Sequence, residues 1–284
     1  MSHPEFILSI SCPDRRGIVS DVTSFLFEQG CNILESQQFG DRFNNRFFLR
    51  IHCLSENDVP ITWLEKNFAS IAQQFSMTSN FFDVHKKTRT LIMVSRFGHA
   101  LVDLLYRSRI GAMPMEVPLV VSNHVDFADV AAAQHIPFVH LPVTKENKAE
   151  QEAKLAQLIE DYQIDLIVLA RYMQILSDGF CKSRLGKIIN IHHSFLPSFK
   201  GANPYTQAHD RGVKLIGATA HYVTGDLDEG PIIDQSVEPV THAMGPDDYV
   251  AVGRDIESRA LARAVKWHCE HRILLNGRKT VVFP

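Results

Sequence analysis

The sequence predicts an α/β protein with two domains, a small βαββαβ unit followed by an open, mostly parallel α/β domain. At 284 residues the chain is longer than one ordinary small domain and short for three. In the first part of the chain, segments with the two-residue apolar period of strands and segments with the 3.6-residue period of helices follow one another in the order βαββαβ. After a short charged linker, apolar strands alternate with helical patterns, which indicates right-handed crossovers and a parallel sheet.

The N-terminal domain is predicted over residues 1–85, and the linker over residues 86–89. Its first strand has alternating apolar residues, and its first helix is bounded by glycines. A connection rich in turn formers joins the next two strands as a hairpin. This order of elements is a ferredoxin-like split unit. The elements are predicted, in order, as strand 6–12, helix 17–30, strands 31–39 and 46–53, helix 61–75 and strand 77–84.

The C-terminal domain is predicted over residues 90–284, and it opens with the continuous apolar strand TLIMVS. Such runs are typical of strands that are buried on both faces of a parallel sheet. A long helix with one apolar face closes the domain. The strands are predicted at 90–95, 115–121, 164–170, 187–191 and 214–223, and the helices at 100–109, 126–134, 146–162 and 247–268.

Composition and charge exclude several classes of protein. The formal net charge is −3, whereas binding to nucleic acid favours a basic surface. The five cysteines form no C-x-x-C pair, so neither a disulfide framework nor a zinc knuckle is expected. No stretch approaches the ~20 apolar residues of a membrane span. We therefore expect a cytoplasmic protein that has neither a nucleic acid nor a membrane as its partner.

Polar side chains follow two apolar strands of the second domain, where ligands bind in open α/β sheets. Asn190 and His192 lie two residues apart at the end of one strand, so both project to the same side. His221 ends another strand, and the loop after it carries three carboxylates in the segment GDLDEG. An amide and a protonated imidazole stabilise an oxyanion, and a carboxylate orients the imidazole. The set therefore suits attack on an acyl carbon.

The motifs around these residues resemble the formyltransferase family, which includes glycinamide ribonucleotide formyltransferases and formyltetrahydrofolate deformylases. NIHHSFLPSF is followed by G-x-x-P, A-H-x-x-G-V-K, GATAHYV and D-x-D-E-G-P-I-I, and the resemblance covers residues 90–284. It implies that Asn190, His192 and Asp228 are the catalytic residues. It also implies that 10-formyltetrahydrofolate is the substrate, with no metal and no further cofactor.

The resemblance further implies a folate pocket between the segment after the strand at 164–170 and the loop before the catalytic aspartate. Backbone groups are expected to make most of the contacts. For Tyr172, Met173, Ile175 and Leu176, the alternative is ordinary packing at a strand-to-helix junction. The residues implied in substrate binding are Arg171, Tyr172, Met173, Gln174, Ile175, Leu176, His193, His221, Thr224, Gly225, Asp226 and Leu227.

The acceptor of the formyl group is indicated by departures from the amine-formylating members of the family. Those members carry a Gly-Ser-Asn loop after the first strand, which holds the substrate phosphate at a helix start. Here the stretch is SRFGHA, with one glycine and bulky neighbours. His193 stands where these transferases usually carry proline. Both departures resemble the deformylase branch and favour water as the acceptor, which gives formate and tetrahydrofolate.

Three alternatives stay open. The first is formyl transfer to an amine such as glycinamide ribonucleotide by the same residues. The second is a non-catalytic amino-acid-binding regulator, against which the intact catalytic set argues. The third is a zinc hydrolase using His192, His221 and Asp228, whose spacing matches no compact zinc-ligand motif.

The segment CPDRRGIVSDVTSFLFEQGCNI resembles an ACT domain, a regulatory module that binds amino acids, often at a dimer interface. An ACT domain joined to this catalytic domain is itself the deformylase arrangement. The resemblance implies methionine and glycine as effectors, a homo-oligomer, and effector contacts from Asp14, Gly17, Gly30 and Asn32. The alternative is that the two glycines only cap a helix and that this copy binds no ligand.

Overall fold

The structure is a computed structural model that describes residues 3–196 and 204–284. Residues 197–203 lie outside the described part. They include the last three residues of the NIHHSFLPSF motif and the glycine of the G-x-x-P motif. The predicted site residues all lie within the described part.

The chain divides into two compact units, and the C-terminal tail belongs to both. The sequence-based division placed everything from residue 90 onwards in the second domain, so the two divisions differ in the tail. The first unit runs to Lys87 and takes in Glu270–Asn276 and Val281–Pro284, and the second comprises Thr88–Cys269 and Gly277–Thr280.

The first unit contains the predicted βαββαβ order, which is confirmed. In the described residues its strands form an antiparallel sheet in the order β2-β3-β1-β4. The phenylalanine rings of Phe25, Phe68 and Phe81 meet edge to face in the core between the sheet and the helices. The elements are β1 (Glu5–Pro13), α1 (Ile18–Glu28), β2 (Cys31–Asp41), β3 (Arg46–Ser55), α2 (Ile61–Gln74) and β4 (Thr78–Asp83).

The second unit is an α/β domain built on one large sheet. Its first strand carries a continuous apolar run over residues 91–94, which is fully buried, as the sequence predicts for a central parallel strand. The elements are β5 (Thr88–Val94), α3 (His99–Arg109), β6 (Met115–Ser122), α4 (Ala128–Ala132), β7 (Phe138–His140), α5 (Lys148–Asp161), β8 (Leu166–Leu169), α6 (Asp178–Lys182), β9 (Ile188–His192), α7 (Pro204–Asp210), β10 (Leu215–Tyr222), β11 (Ile232–Pro239) and α8 (Pro246–Cys269).

The strand order places the carboxyl ends of the central strands beside one another. Across the described ranges the order is β11-β10-β9-β8-β5-β6-β7. The five strands from β9 to β7 pair in parallel, and β10 is antiparallel to both β9 and β11, so the prediction of a mostly parallel sheet is confirmed. The order reverses between β5 and β8, and such a reversal opens a crevice at the carboxyl ends.

The C-terminal tail folds as a hairpin of β12 (Ile273–Asn276) and β13 (Lys279–Val282). Leu274 and Phe283 are buried in one cluster with Phe48 of β3. The tail therefore covers apolar surface of the first unit, and this explains why most of it groups with that unit. No helix in the described residues is long and apolar enough to cross a membrane.

The helix predicted at 126–134 is shorter than expected, because α4 covers only Ala128–Ala132. The chain leaves the helix at His135, whose φ of 57° is left-handed, and Pro137 follows. Only Ala131 of this helix is buried, so packing does little to extend it.

Phe68 gives a test of the core of the first unit. Phe68→Ala removes a ring that is 1% exposed, and we expect it to lower the free energy of unfolding by about 3–5 kcal/mol. Phe27→Ala is the matched control, because Phe27 is 82% exposed in the same unit. Urea unfolding checks both variants. Equal losses in the two would contradict this account of the core.

Candidate active site

The first wall of the site is the segment that follows β8. Arg171 begins it with a left-handed φ of 63°, which turns the chain away from the sheet. The backbone N–H of Met173 donates to Ser95 Oγ at 2.9 Å, and that of Ser177 donates to Glu152 Oε1 at 2.8 Å. These two hydrogen bonds hold the segment at both ends before α6 begins.

The second wall is the loop between β10 and β11, and its path depends on Gly230. A Cβ atom on Gly230 would lie 1.7 Å from the carbonyl oxygen of Tyr222, so the two backbone segments approach too closely for any other residue. Asp228 adopts a left-handed φ of 56° in the same loop. The close approach therefore returns the loop toward the end of β10 and directs Asp228 at the sheet.

Pairing of β9 with β10 aligns two of the predicted residues. Asn190 and His221 are directly opposite in this antiparallel register, and Asn190 Nδ2 lies 3.2 Å from His221 Nε2. His221 Nδ1 lies 2.9 Å from the carbonyl oxygen of Tyr222, which can only accept, so Nδ1 carries a proton. The amide of Asn190 is thus hydrogen-bonded to Nε2 of His221. This hydrogen bond orients the amide and leaves its second N–H for a ligand.

His192 and Asp228 contact each other at the ends of the same strands. His192 Nδ1 lies 3.2 Å from Asp228 Oδ2, and His221 Nε2 lies 3.7 Å from Asp228 Oδ1. Burial alone would raise the pKa of Asp228, but the imidazoles of His192 and His221 more than offset this and hold the pKa well below its usual range. Asp228 is therefore ionised at neutral pH, and it fixes Nδ1–H of His192 as the donor.

The two walls and the strand ends enclose one cavity of about 320 Å³, within the size range of small-molecule sites. It is lined by every catalytic and substrate-binding residue predicted from the sequence. The residues are Asn190, His192, Asp228, Arg171, Tyr172, Met173, Gln174, Ile175, Leu176, His193, His221, Thr224, Gly225, Asp226 and Leu227. Sequence reasoning missed four further lining residues, Leu169, Cys181, Ile191 and Val223, which are apolar or weakly polar and resemble ordinary core positions.

The apolar part of the lining separates into two groups. Tyr172 and Leu176 belong to the buried core, so for these two the alternative of ordinary packing applies as well. Burial, together with the charge of a nearby glutamate, raises the pKa of Tyr172 to about 12. Met173, Ile175 and Leu227 are each more than half exposed while lining the cavity. Exposed apolar side chains from both walls suit a flat aromatic ligand.

A buried cluster around Glu257 was missed by the sequence analysis. Glu257 is 1% exposed, and its carboxylate accepts from His99 Nε2 and from Tyr205 Oη, each at 2.8 Å. Arg171 Nε forms an ion pair with it at 3.4 Å. We call these four residues the Glu257 cluster. One signal could have revealed it, since Glu257 is four residues after Gly253 and three before Ala260, on the buried side of α8.

The predicted effector residues are not brought together within one chain. Asp14 and Gly17 precede α1, whereas Gly30 and Asn32 follow it. Eleven helical residues separate the two pairs, a length of roughly 16 Å. Gly17 and Gly30 both have left-handed φ angles at the ends of α1, as the capping alternative requires. A single effector site made of all four residues is therefore absent from the described chain.

No group of three His, Cys, Asp or Glu side chains within residues 3–196 and 204–284 is arranged to hold a metal ion. His192, His221 and Asp228 are instead paired with one another or with the backbone.

Comparisons with known proteins agree along the whole chain. The sequence matches the formyl transferase family over residues 88–265 and the ACT domain family over residues 6–60. A formyltetrahydrofolate deformylase from Corynebacterium sp. (strain P-1) is 48% identical over 277 residues, which is 97% of either protein. One from Bacillus subtilis is 47% identical over 279 residues, covering 97% of this chain and 93% of that protein.

A solved structure agrees equally well. The crystal structure of formyltetrahydrofolate deformylase from Burkholderia mallei has a TM-score of 0.95 at 48% identity, covering 99% of this chain and 100% of that one. The fold, the site and these matches define a member of the formyl transferase family with an N-terminal ACT domain. More particularly, the chain belongs to the formyltetrahydrofolate deformylases, which are hydrolases.

Gly230 tests whether the loop geometry creates the site. Because its added Cβ would overlap the Tyr222 carbonyl, Gly230→Ala should displace the loop, lower turnover, and cost about 1–3 kcal/mol of unfolding free energy. Gly179→Ala is the control, since a Cβ there meets nothing within 4 Å. Steady-state rates and urea unfolding measure both effects. Normal turnover in Gly230→Ala would show that the close approach is dispensable.

Proposed function

We propose that this chain hydrolyses 10-formyltetrahydrofolate to formate and tetrahydrofolate, using Asn190, His192 and Asp228. The observation that carries the proposal is the convergence of an amide, an imidazole and a carboxylate on one cavity. Membership of the formyltetrahydrofolate deformylases supports the choice of substrate. The mechanism requires no metal and no further cofactor.

Asn190 and His192 stabilise the oxyanion that develops on the formyl oxygen. His221 holds the Asn190 amide by one N–H, so the other is preorganised for the substrate. His192 Nε2 is buried and has no hydrogen-bond partner among the described residues, so it is available to that oxygen. Preorganised donors of this kind contribute on the order of 3 kcal/mol each, because they need no reorganisation as charge develops.

Asp228 stabilises the charged form of His192. Its ionised carboxylate faces Nδ1 of His192, so a proton on Nε2 is favoured electrostatically. The protonated ring then donates to the oxyanion. Asp228 thereby governs the proton movements of the reaction, and its own low pKa keeps it negative throughout.

The folate is proposed to lie between the two walls, with its flat ring system against the exposed side chains of Met173, Ile175 and Leu227. The other predicted pocket residues, from Arg171 to Leu176 and from Thr224 to Leu227, supply mainly backbone contacts. His193 and His221 border the reacting end of the cavity. The formyl carbon is thus directed at the ends of β9 and β10.

Water is favoured as the acceptor because Ser95 in the loop after β5 is already hydrogen-bonded and the loop is closely packed. Ser95 Oγ lies 2.6 Å from Asn123 Oδ1 and accepts from Met173 N. A Cβ at Gly98 would lie 2.1 Å from the Phe127 ring, so the loop is packed against that ring. The guanidinium groups of two arginines lie over the Phe97 ring. A phosphate cradle for a nucleotide acceptor is therefore not supported.

The ACT domain is proposed to bind an amino-acid effector, with methionine and glycine as candidates and a homo-oligomer as the functional form. Because the four predicted contacts lie at two ends of α1, Asp14 and Gly17 are proposed as the effector-binding end. Asp14 is exposed there, and its side chain passes close to Gly40.

The decisive assay supplies 10-formyltetrahydrofolate without any amine and measures formate. We expect formate release by the unchanged protein, and a loss of about 10² or more in turnover for Asp228→Asn with folate affinity retained. Asp210→Asn is a matched control, because it alters another Asp–His pair, with His209 at 3.3 Å, outside the cavity. Formylated amine with no formate would instead establish a transferase.

Asp14 tests the regulatory proposal. We expect methionine or glycine to change formate release by the unchanged protein, and Asp14→Ala to remove that change without altering the basal rate. Asp58→Ala, an exposed aspartate of the same unit paired with His3, is the control. The same assay without effectors gives the basal rates. An unaltered response in Asp14→Ala would place the effector site elsewhere.

A further inference from the structure

Two buried carboxylates lie near the catalytic histidines, and the proposed mechanism uses only one. Asp228 is the partner of His192, whereas Glu257 lies on α8 in the Glu257 cluster. Burial alone would raise the pKa of Glu257, but hydrogen bonds from His99 and Tyr205 and the charge of Arg171 hold it below its usual range. A buried ionised group with three partners is costly to assemble. Its position beside the cavity calls for a functional reason.

His193 lies between the catalytic pair and the Glu257 cluster. Its ring centroid is 5.2 Å from that of His192 and 6.4 Å from that of Tyr205. It lines the catalytic cavity, together with Arg171, and also lines a smaller cavity beside Tyr205. His193 therefore faces the reaction centre from the side of the Glu257 cluster.

The surroundings of His193 keep its ring neutral. Burial, followed by the positive charges of Arg171 and His192, lowers its pKa to about 4. A neutral imidazole has one nitrogen that donates and one that accepts a hydrogen bond. His193 can thus accept a hydrogen bond from water at neutral pH, whereas an imidazolium could not.

The reaction needs such an acceptor in addition to Asp228. The low pKa of Asp228 makes it a weak base, and one of its oxygens is already occupied by His192 Nδ1. His192 itself is assigned to the oxyanion, as a donor. Neither group is therefore well placed to orient the lone pair of an attacking water toward the formyl carbon.

We propose that His193 is a further catalytic residue, which orients the attacking water by accepting its hydrogen bond. Glu257 positions the surroundings of His193 through Arg171 and Tyr205. This inference rests on the proposed hydrolysis. It assigns a specificity role to His193, since a residue that holds water at the formyl carbon favours hydrolysis over transfer to an amine.

The step balances without any further reactant. The water oxygen forms a bond to the formyl carbon, and the bond from that carbon to the amide nitrogen of the folate breaks. One proton of the water passes, by way of the histidines, to that nitrogen, and the other is released as formic acid ionises. His193 holds the water during attack and is unchanged at the end.

The Glu257 cluster supports the surroundings of His193 by geometry and by charge. Arg171 is 11% exposed, and its Nε lies 3.4 Å from the carboxylate, so Glu257 offsets a guanidinium charge that burial would otherwise disfavour. Gly253 on α8 allows the Tyr205 ring to approach, because a Cβ there would lie 2.2 Å from the ring. Tyr205 is thus fixed against both Glu257 and His193.

Two substitutions of His193 test the role. His193→Leu removes the acceptor at similar volume, and we expect kcat to fall on the order of 10²-fold with little change in tetrahydrofolate affinity. His193→Asn keeps an acceptor oxygen and should retain more of the activity. With hydroxylamine added as a competing nucleophile, the fraction of formyl groups recovered as formohydroxamate should rise in His193→Leu. Circular dichroism verifies that both variants fold.

The outcomes separate this inference from the proposed function. If the unchanged protein releases no formate, the proposed function fails. If it releases formate but His193→Leu keeps its kcat and its hydroxylamine fraction, His193 does not hold the water. A variant that loses folate affinity while keeping kcat would make His193 a binding residue, which also overturns the inference.

Tyr205→Phe tests the positioning role of the cluster. It removes one hydrogen bond to Glu257, and we expect kcat to fall about fivefold and the hydroxylamine fraction to rise, with KM unchanged. Tyr249→Phe is the matched control, since Tyr249 lies on α8 and is also buried, but its hydroxyl contacts the carbonyl of Val213 at 3.4 Å. Equal effects of the two substitutions would reduce the cluster to a structural role.

Discussion

The site depends on keeping the charge of Asp228 in a partly buried position. The carboxylate is only 17% exposed, and the nearby imidazoles repay the cost of removing it from water. Those imidazoles are in place because β9 and β10 pair in one antiparallel register and because the loop returns closely enough at Gly230. Sheet pairing and loop path together therefore provide the partners that stabilise the charge of Asp228.

The second unit contains another buried charge, that of Glu257, which is also stabilised by nearby partners. There the partners come from three separate elements, namely α3, the segment after β8 and α7. Asp228 contacts His192, whereas the Glu257 cluster contacts His193 through the ring of Tyr205. The pKa of Asp228 is lowered beside His192, whereas burial, followed by the charges of Arg171 and His192, lowers the pKa of His193.

Much of the fold follows from local pattern, and the exceptions have physical causes. β1, β3 and β5 were predictable because their apolar periods are regular and their ends carry turn formers. β11 was missed because its sequence IIDQSVEP alternates weakly at the sheet edge, and β12 and β13 are stabilised by burial against Phe48, which is distant in sequence. Glu257 was missed for a similar reason, since a glutamate on a long helix resembles a solvated residue until its partners are known.

The proposed hydrolysis has two requirements that a single carboxylate cannot meet. In the proposed mechanism the oxyanion is stabilised by His192, whose Nδ1 faces the ionised Asp228. Orienting water requires a hydrogen-bond acceptor, and an imidazole can accept only while it is neutral. Burial of His193, followed by the positive charges of Arg171 and His192, lowers the pKa of this ring and so keeps it neutral. The proposed division between the two adjacent histidines thus follows from the contact of His192 with Asp228 and from the burial of His193.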